Sequence, residues 1–140
     1  MKVKSVMSTE IETVEPHDTL KKAAKIMNKY RISGLVVQKD QEIVGILTER
    51  DILKAFVKGM KPDTFVEDVM SKNVITIDKN ATLEEAARRM LDHGIKRLPV
   101  VSKGRCVGLV TATDLITYEE RLIDKMSELL LLPRRKAEGG

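Results

Sequence analysis

Sliding the chain along itself by 63 positions lays its first half, without a gap, onto a second copy of the same pattern. Val6-Met7-Ser8 falls on Val69-Met70-Ser71, Thr19-Leu20 on Thr82-Leu83, Ala23-Ala24 on Ala86-Ala87, Met27 on Met90 and Val44-Gly45 on Val107-Gly108. Of the 51 positions from Val3 to Leu53, 17 are identical to their partners. Two copies of one unit must reach two copies of one local structure, which limits the fold more than any single motif does. The chain has 140 residues, so each unit is about 60 residues long and marginal as a core of its own.

Periodicity gives the unit its elements. Leu20, Ala23, Ala24 and Met27 are spaced i, i+3, i+4, i+7, as are Leu83, Ala86, Ala87 and Met90; this is the apolar stripe of an amphipathic helix. Thr82 followed by Glu85 predicts a capping box at the start of the second one. Gly34-Leu-Val-Val and Ile43-Val-Gly-Ile-Leu, separated by the polar stretch Gln38 to Glu42, predict a hairpin. Leu98-Pro-Val-Val and Cys106-Val-Gly-Leu-Val, around Ser102 to Arg105, repeat it. A further helix follows each hairpin, from Glu49 to about Val57 and from Ala112 onward, and a short strand precedes each unit near Ile11–Val14 and Val74–Ile77.

Each unit thus reads β-α-β-β-α, an α+β fold, with a first repeat over residues 1–60, a second over 61–122 and a C-terminal helix and basic tail over 123–140. Lys58-Gly-Met-Lys-Pro-Asp63 has the Gly and Pro of a linker. A small sheet with helices on one side leaves its other face bare, and its own copy is the natural cover. The units are therefore expected to pack face to face about a pseudo-twofold axis, leaving two related clefts suited to small ligands.

Composition narrows the function. Only two Tyr, two Phe and no Trp are present, which disfavours single-strand nucleic-acid modules that stack bases on aromatic rings. One Cys and two His rule out a disulfide framework and leave too few soft ligands for structural zinc; no cofactor or metal is expected. The net charge of +4 comes from interspersed signs, so bulk electrostatics selects no partner. With no apolar leader core and no run near the ~18 apolar residues of a membrane span, the chain reads as cytosolic and not membrane-bound.

The informative residues lie where each second strand meets its following helix, in Gly45-Ile-Leu-Thr48-Glu-Arg50-Asp51 and Gly108-Leu-Val-Thr111-Ala-Thr113-Asp114. A helix start presents unpaired N–H groups and positive partial charge, which suit phosphate or hydroxyl oxygens. An Asp in that turn can accept both hydrogens of a ribose diol, as an acidic residue does in dinucleotide folds. Thr-x-x-Asp before an apolar run is equally a helix cap. The two roles are compatible. Glycine in the strand permits close approach of another group.

Taken together, the Val-Met-Ser openings, Thr19 to Met27 and its copy Thr82 to Met90, His93-Gly-Ile-Lys-Arg-Leu-Pro-Val-Val101 and the two Gly-h-h-Thr-x-x-Asp segments (h, hydrophobic) resemble a pair of CBS domains, the module named after cystathionine β-synthase. The resemblance covers roughly residues 1 to 122. It implies a regulatory module that binds adenine nucleotides or adenosyl compounds such as AMP, ADP, ATP or S-adenosylmethionine in its clefts, without catalysis, and that forms a disk-like homodimer read by a further protein partner. Carried over residue by residue, Thr48, Arg50 and Asp51 would act with Ile75, Thr76, Ile95, Lys96 and Arg97. Thr111, Thr113 and Asp114 would act with Thr13, Val14, Ile32, Ser33 and Gly34. Lys96 and Arg97 would make the Asp51 pocket the one preferring phosphorylated ligands, because a charge-assisted contact is roughly twice as strong as a neutral one. The alternatives are a dimerisation scaffold with vestigial pockets and an enzyme acting on nucleotides.

Other polar residues read as structural. His93 ends a helix, where its charge complements the dipole; His17 has no clustered ligands. Cys106 stands where the other copy has Ile43 and reads as a strand residue. Lys21, Lys22 and Lys25 put positive charge at a helix start, against the dipole, where the second copy has Glu84, Glu85 and Arg88. Leu122, Met126, Leu129 and Leu130 continue a helical stripe through Tyr118 to Leu132, and Pro133-Arg-Arg-Lys136 by itself signals neither nucleic acid nor membrane.

Overall fold

A computed structural model describes residues 1–131. The basic segment Pro133 to Lys136 and the closing Gly139-Gly140 lie outside the described residues. The first unit runs β1 (Thr13–Val14), α1 (Leu20–Tyr30), β2 (Gly34–Lys39), β3 (Glu42–Thr48) and α2 (Glu49–Val57). The second runs β4 (Ile77–Asp78), α3 (Leu83–His93), β5 (Arg97–Ser102), β6 (Arg105–Thr111) and α4 (Ala112–Leu131). Each unit forms a three-stranded sheet in which the first strand pairs parallel with the second and the second antiparallel with the third. The leading strands are only two residues long, shorter than the segments Ile11–Val14 and Val74–Ile77 suggested.

Local chemistry explains the boundaries. Thr19 and Thr82 cap α1 and α3, their hydroxyls accepting from the N–H groups of Lys22 and Glu85. The reciprocal arm of a capping box is made in α2 by Asp51. The hairpin loops are tighter than the polar stretches implied, with strands running to Lys39 and Ser102 and two-residue turns between. Asp40 and Gln41 (φ 53° and 69°), then Lys103 and Gly104 (φ 51° and 77°), supply the pair of positive φ angles that suits the twist of flanking strands. α1 ends on Arg31 and α3 on Gly94, both left-handed. The lysine-rich start of α1 is compensated by the linker, whose Thr64 and Pro62 carbonyls accept from Leu20 and Lys21 N–H at 2.9 and 3.0 Å, and by the Asp18 carboxylate 3.1 Å from Lys22 Nζ.

The two cores do not follow the order of the chain. One gathers Val14, Leu20, Ala23, Met27, Leu35 and Leu47 from the first unit, yet is closed by Val66, Val69 and Met70. The other gathers Ile77, Ala86, Met90, Leu98 and Val110, and is closed by Val3, Val6 and Met7. The segment preceding each unit is thus spent on the other unit. Ser8 exchanges two hydrogen bonds with Leu109 on β6, and Ser71 two with Ile46 on β3. This exchange also explains the strand glycines. A Cβ on Gly108 would stand 2.6 Å from Met7 Sδ and 2.8 Å from Ser8 O, and one on Gly45 would collide with Met70. The close approach that these glycines permit is that of the exchanged Met-Ser segment. Among the described residues, no helix is long and apolar enough to cross a membrane.

Candidate functional site: twin clefts between the repeats

The exchange brings the end of each β-hairpin against the other unit, and a cleft opens at each of the two places. The first, of about 460 Å³, is lined by Thr48, Glu49, Arg50 and Asp51 from the start of α2 and by Ile75, Ile95, Lys96 and Arg97 from the second unit. The second, of about 470 Å³, joins Thr111 and Asp114 at the start of α4 to Ile32, Ser33 and Gly34 of the first unit. Both volumes fall in the range typical of small-molecule sites.

At the mouth of each cleft the acidic residue is held by its own helix start. Asp51 Oδ2 accepts from Thr48 N–H at 2.9 Å and from the Thr48 hydroxyl at 3.0 Å, while Asp51 N–H donates to Thr48 Oγ1 at 3.3 Å. Asp114 Oδ2 likewise accepts from Thr111 N–H at 2.9 Å, and its own N–H donates to Thr111 Oγ1 at 3.1 Å. The cap engages one carboxylate oxygen and fixes the side chain. It therefore presents the other oxygen on a rigid mount at a helix start, a geometry suited to a diol or phosphate.

Several residues drawn in by the resemblance stand elsewhere. Thr13 and Val14 do not line the Asp114 cleft: they form β1, and Val14 is buried in the first core. The wall there is the extended stretch Glu10-Ile11-Glu12 just before it. Thr76 is outside the Asp51 cleft, its carbonyl accepting from Arg89, and Ser71 and Asn73 supply that part of the wall. Thr113 is exposed and lines neither cleft. The offset arises because the leading strands pair for only two residues, so the chain just before them faces the cleft.

The expected division of charge also changes. Arg97 lines both clefts: its Nη2 donates to Ser33 Oγ at 2.7 Å across the seam. Its side chain lies over Gly34, where a Cβ would be 3.0 Å from Nε. Arg31, held at the left-handed end of α1, adds a second cation to the Asp114 cleft. That cleft therefore holds two cations, although Ser33 and Gly34 themselves are neutral. Arg31 and Arg97 there face Glu10, Glu12 and Asp114, whereas Arg50, Lys96 and Arg97 face only Glu49 and Asp51 in the other. Arg31 sits where the second copy has Gly94, and that mismatch was the available signal.

The remaining polar residues stay outside both clefts. Cys106 is half-buried in β6, and burial pushes its thiol up from the ordinary value, opposed by its contact with the Gly108 carbonyl. His17 stands 3.3 Å from Glu67 and packs on Phe65, and His93 closes α3.

Known proteins share this arrangement. The family model described as "CBS domain" matches residues 3–58 and again 66–121. The CBS domain-containing protein YhcV of Bacillus subtilis is 36 % identical over 114 residues, 81 % of each chain. Inosine-5'-monophosphate dehydrogenase of Methanocaldococcus jannaschii is 35 % identical over 93 % of this chain, which spans only 26 % of that protein. Among solved structures, the CBS domain pair of protein MJ0100, in complex with 5'-methylthioadenosine and S-adenosyl-L-methionine, superposes with a TM-score of 0.81 at 30 % identity, covering 87 % of this chain and 98 % of that one. Two matched copies, the twin three-stranded sheets and this superposition leave one conclusion: the chain belongs to the CBS domain family and carries the domain as a tandem pair.

Proposed function

We propose that this protein is a regulatory module that senses adenine nucleotides or adenosyl compounds in the two clefts, acts by binding and not by catalysis, and works as a homodimer. The observation that carries the reading is the pair of Thr-Asp caps, each holding a carboxylate at the mouth of a cleft of ligand size. The adenosyl ligands of the MJ0100 pair support the ligand class. Arg50, Lys96 and Arg97 against two acids favour phosphorylated ligands in the Asp51 cleft, and the more acidic Asp114 cleft suits adenosine-like or cationic ones. Because each cleft is walled by both units, a ligand that binds one relative arrangement better shifts the population toward it, and a partner protein reads the shift. Dimerisation is supported by the apolar side chains left exposed on the helices, Phe56 and Val57 on α2 and Ile116 and Ile123 on α4 among them.

The caps also favour a second reading, a dimerisation scaffold, since each Asp already has partners in its own helix. Calorimetry with AMP, ADP, ATP and S-adenosylmethionine separates the two. The sensing reading expects binding to at least one of them, weakened about ten-fold or more by Asp51→Ala or Asp114→Ala, the loss of a charged hydrogen bond. No heat with any of the four leaves the scaffold, and turnover of a nucleotide makes the protein an enzyme.

A further inference from the structure

The helical faces of the two repeats carry opposite charge at equivalent positions. α1 has Lys21, Lys22, Lys25 and Lys29 and no acid, and in α2 Arg50 and Lys54 balance Glu49 and Asp51, a net of +4. In α3, Glu84, Glu85 and Asp92 exceed Arg88 and Arg89; in α4, five acids face only Arg121 and Lys125, a net of −4. Under the 63-residue register the reversal is positional: Lys21 becomes Glu84, Lys22 becomes Glu85, Lys29 becomes Asp92 and Lys61 becomes Asp124. Lys25 and Lys58 keep their sign as Arg88 and Arg121.

Both faces are also apolar at their centres. Between α1 and α2 a groove of about 340 Å³ is lined by Leu20, Ala24, Ile52, Phe56 and Met60, with Lys21 and Lys61 at its edge. Phe56 is 72 % exposed and Val57 79 %. On the second repeat Leu91 is 82 % exposed and Ile116 58 %. α4 runs for 20 residues against 9 in α2. Its extra turns carry Leu122, Ile123 and Met126, all exposed, beside Asp124 and Glu128.

We infer that the groove between α1 and α2 is filled by the α3–α4 face of a second copy, so that the dimer is head-to-tail, first repeat on second repeat at both ends of a twofold axis. The inference rests on the homodimer of the preceding section and fixes its orientation. A head-to-head pairing sets Lys21 and Lys22 against themselves, and Glu84 and Glu85 against themselves. Like charges facing each other across an apolar seam cost several kcal/mol. The head-to-tail pairing turns each of those repulsions into an attraction. The same twofold places two grooves and two α4 extensions in one closed interface, with nothing left to polymerise.

Cross-linking in a Cys106→Ser background tests the orientation. Lys21→Cys and Glu84→Cys proteins, each treated alone with a short bismaleimide, are expected to give no covalent dimer, and an equal mixture is expected to give one. Sedimentation supplies the second measurement. Wild type is expected at twice 15.7 kDa. Reversing both lysines (K21E with K22E) or both glutamates (E84K with E85K) should weaken the dimer about ten-fold or more, and all four changes together should restore it. A covalent dimer from either single-cysteine protein alone, or no rescue by the fourfold reversal, overturns the head-to-tail arrangement while leaving the dimer standing. A monomer at every concentration overturns the dimer itself.

Discussion

Gly45 and Gly108, Thr48 and Thr111, and Asp51 and Asp114 occupy the same places in the two repeats and make the same contacts, whereas the residues around them diverge in charge. Arg31 stands opposite Gly94, Ser33 opposite Lys96, Gly34 opposite Arg97, and the lysines of α1 opposite the glutamates of α3. Identity is kept at the glycines beside the exchanged segments and at the caps, whereas much of the cleft wall and helix surface has changed, Ile32 and Ile95 being cleft residues that have not. The common frame dictates the first group, since an added Cβ at either glycine meets the same Met-Ser backbone. The second group is free to make the twin clefts, and the twin faces, chemically distinct.

That contrast can be tested most severely by deleting residues 1–8, which removes Val3, Val6 and Met7 from the second core and leaves the first intact. At about 1.5–3 kcal/mol for a fully buried apolar side chain, with Val3 fully buried and Val6 and Met7 partly so, the expected cost is several kcal/mol. Hydrogen exchange should then accelerate in β5 and β6, which are distant in sequence, more than in β2 and β3, which follow the deletion. Next in size, Gly45→Ala and Gly108→Ala should each cost about 1–3 kcal/mol in denaturant unfolding, because either added methyl overlaps a packed methionine and a carbonyl. Equal costs at the two sites would confirm that the glycines serve one shared contact. Smallest, Gln41→Gly should stabilise by about 0.5–1 kcal/mol and Gly104→Ala destabilise by a similar amount. Both sit at φ near 70° in the same turn position, and only one of the two repeats places glycine there.

Much of the frame was legible in the residues. The helical stripes, the paired hairpins and the Thr-Asp caps are local features, and periodicity or turn chemistry reports local features directly. The exchange was not legible. Val3 and Val66 are isolated apolar residues ahead of each unit, and a pattern reveals that a side chain is buried without revealing which core receives it. The strand glycines signal room for a visitor, and the visitor is the chain itself. In the clefts, strand position alone assigns Arg97 to one wall. A guanidinium on a long side chain resting on a glycine reaches the second wall as well. Analogy of position brings Thr13, Val14 and Thr76 to the clefts, and such analogy is sensitive to a strand only two residues long.

The crossing of the leading segments governs how the molecule can be made. Val3 is synthesised ahead of the first repeat, yet its seat is built from residues 77 to 110. At roughly 5–20 residues per second, that seat arrives on the order of ten seconds later. During the wait the first repeat is already being assembled, and Val66 can close its core as soon as it is synthesised. Maturation therefore has a fixed order, with the segment Val3 to Met7 docking after Val66 to Met70. A chaperone or protease that engages nascent chains meets the segment Val3 to Met7 while its seat is still unmade.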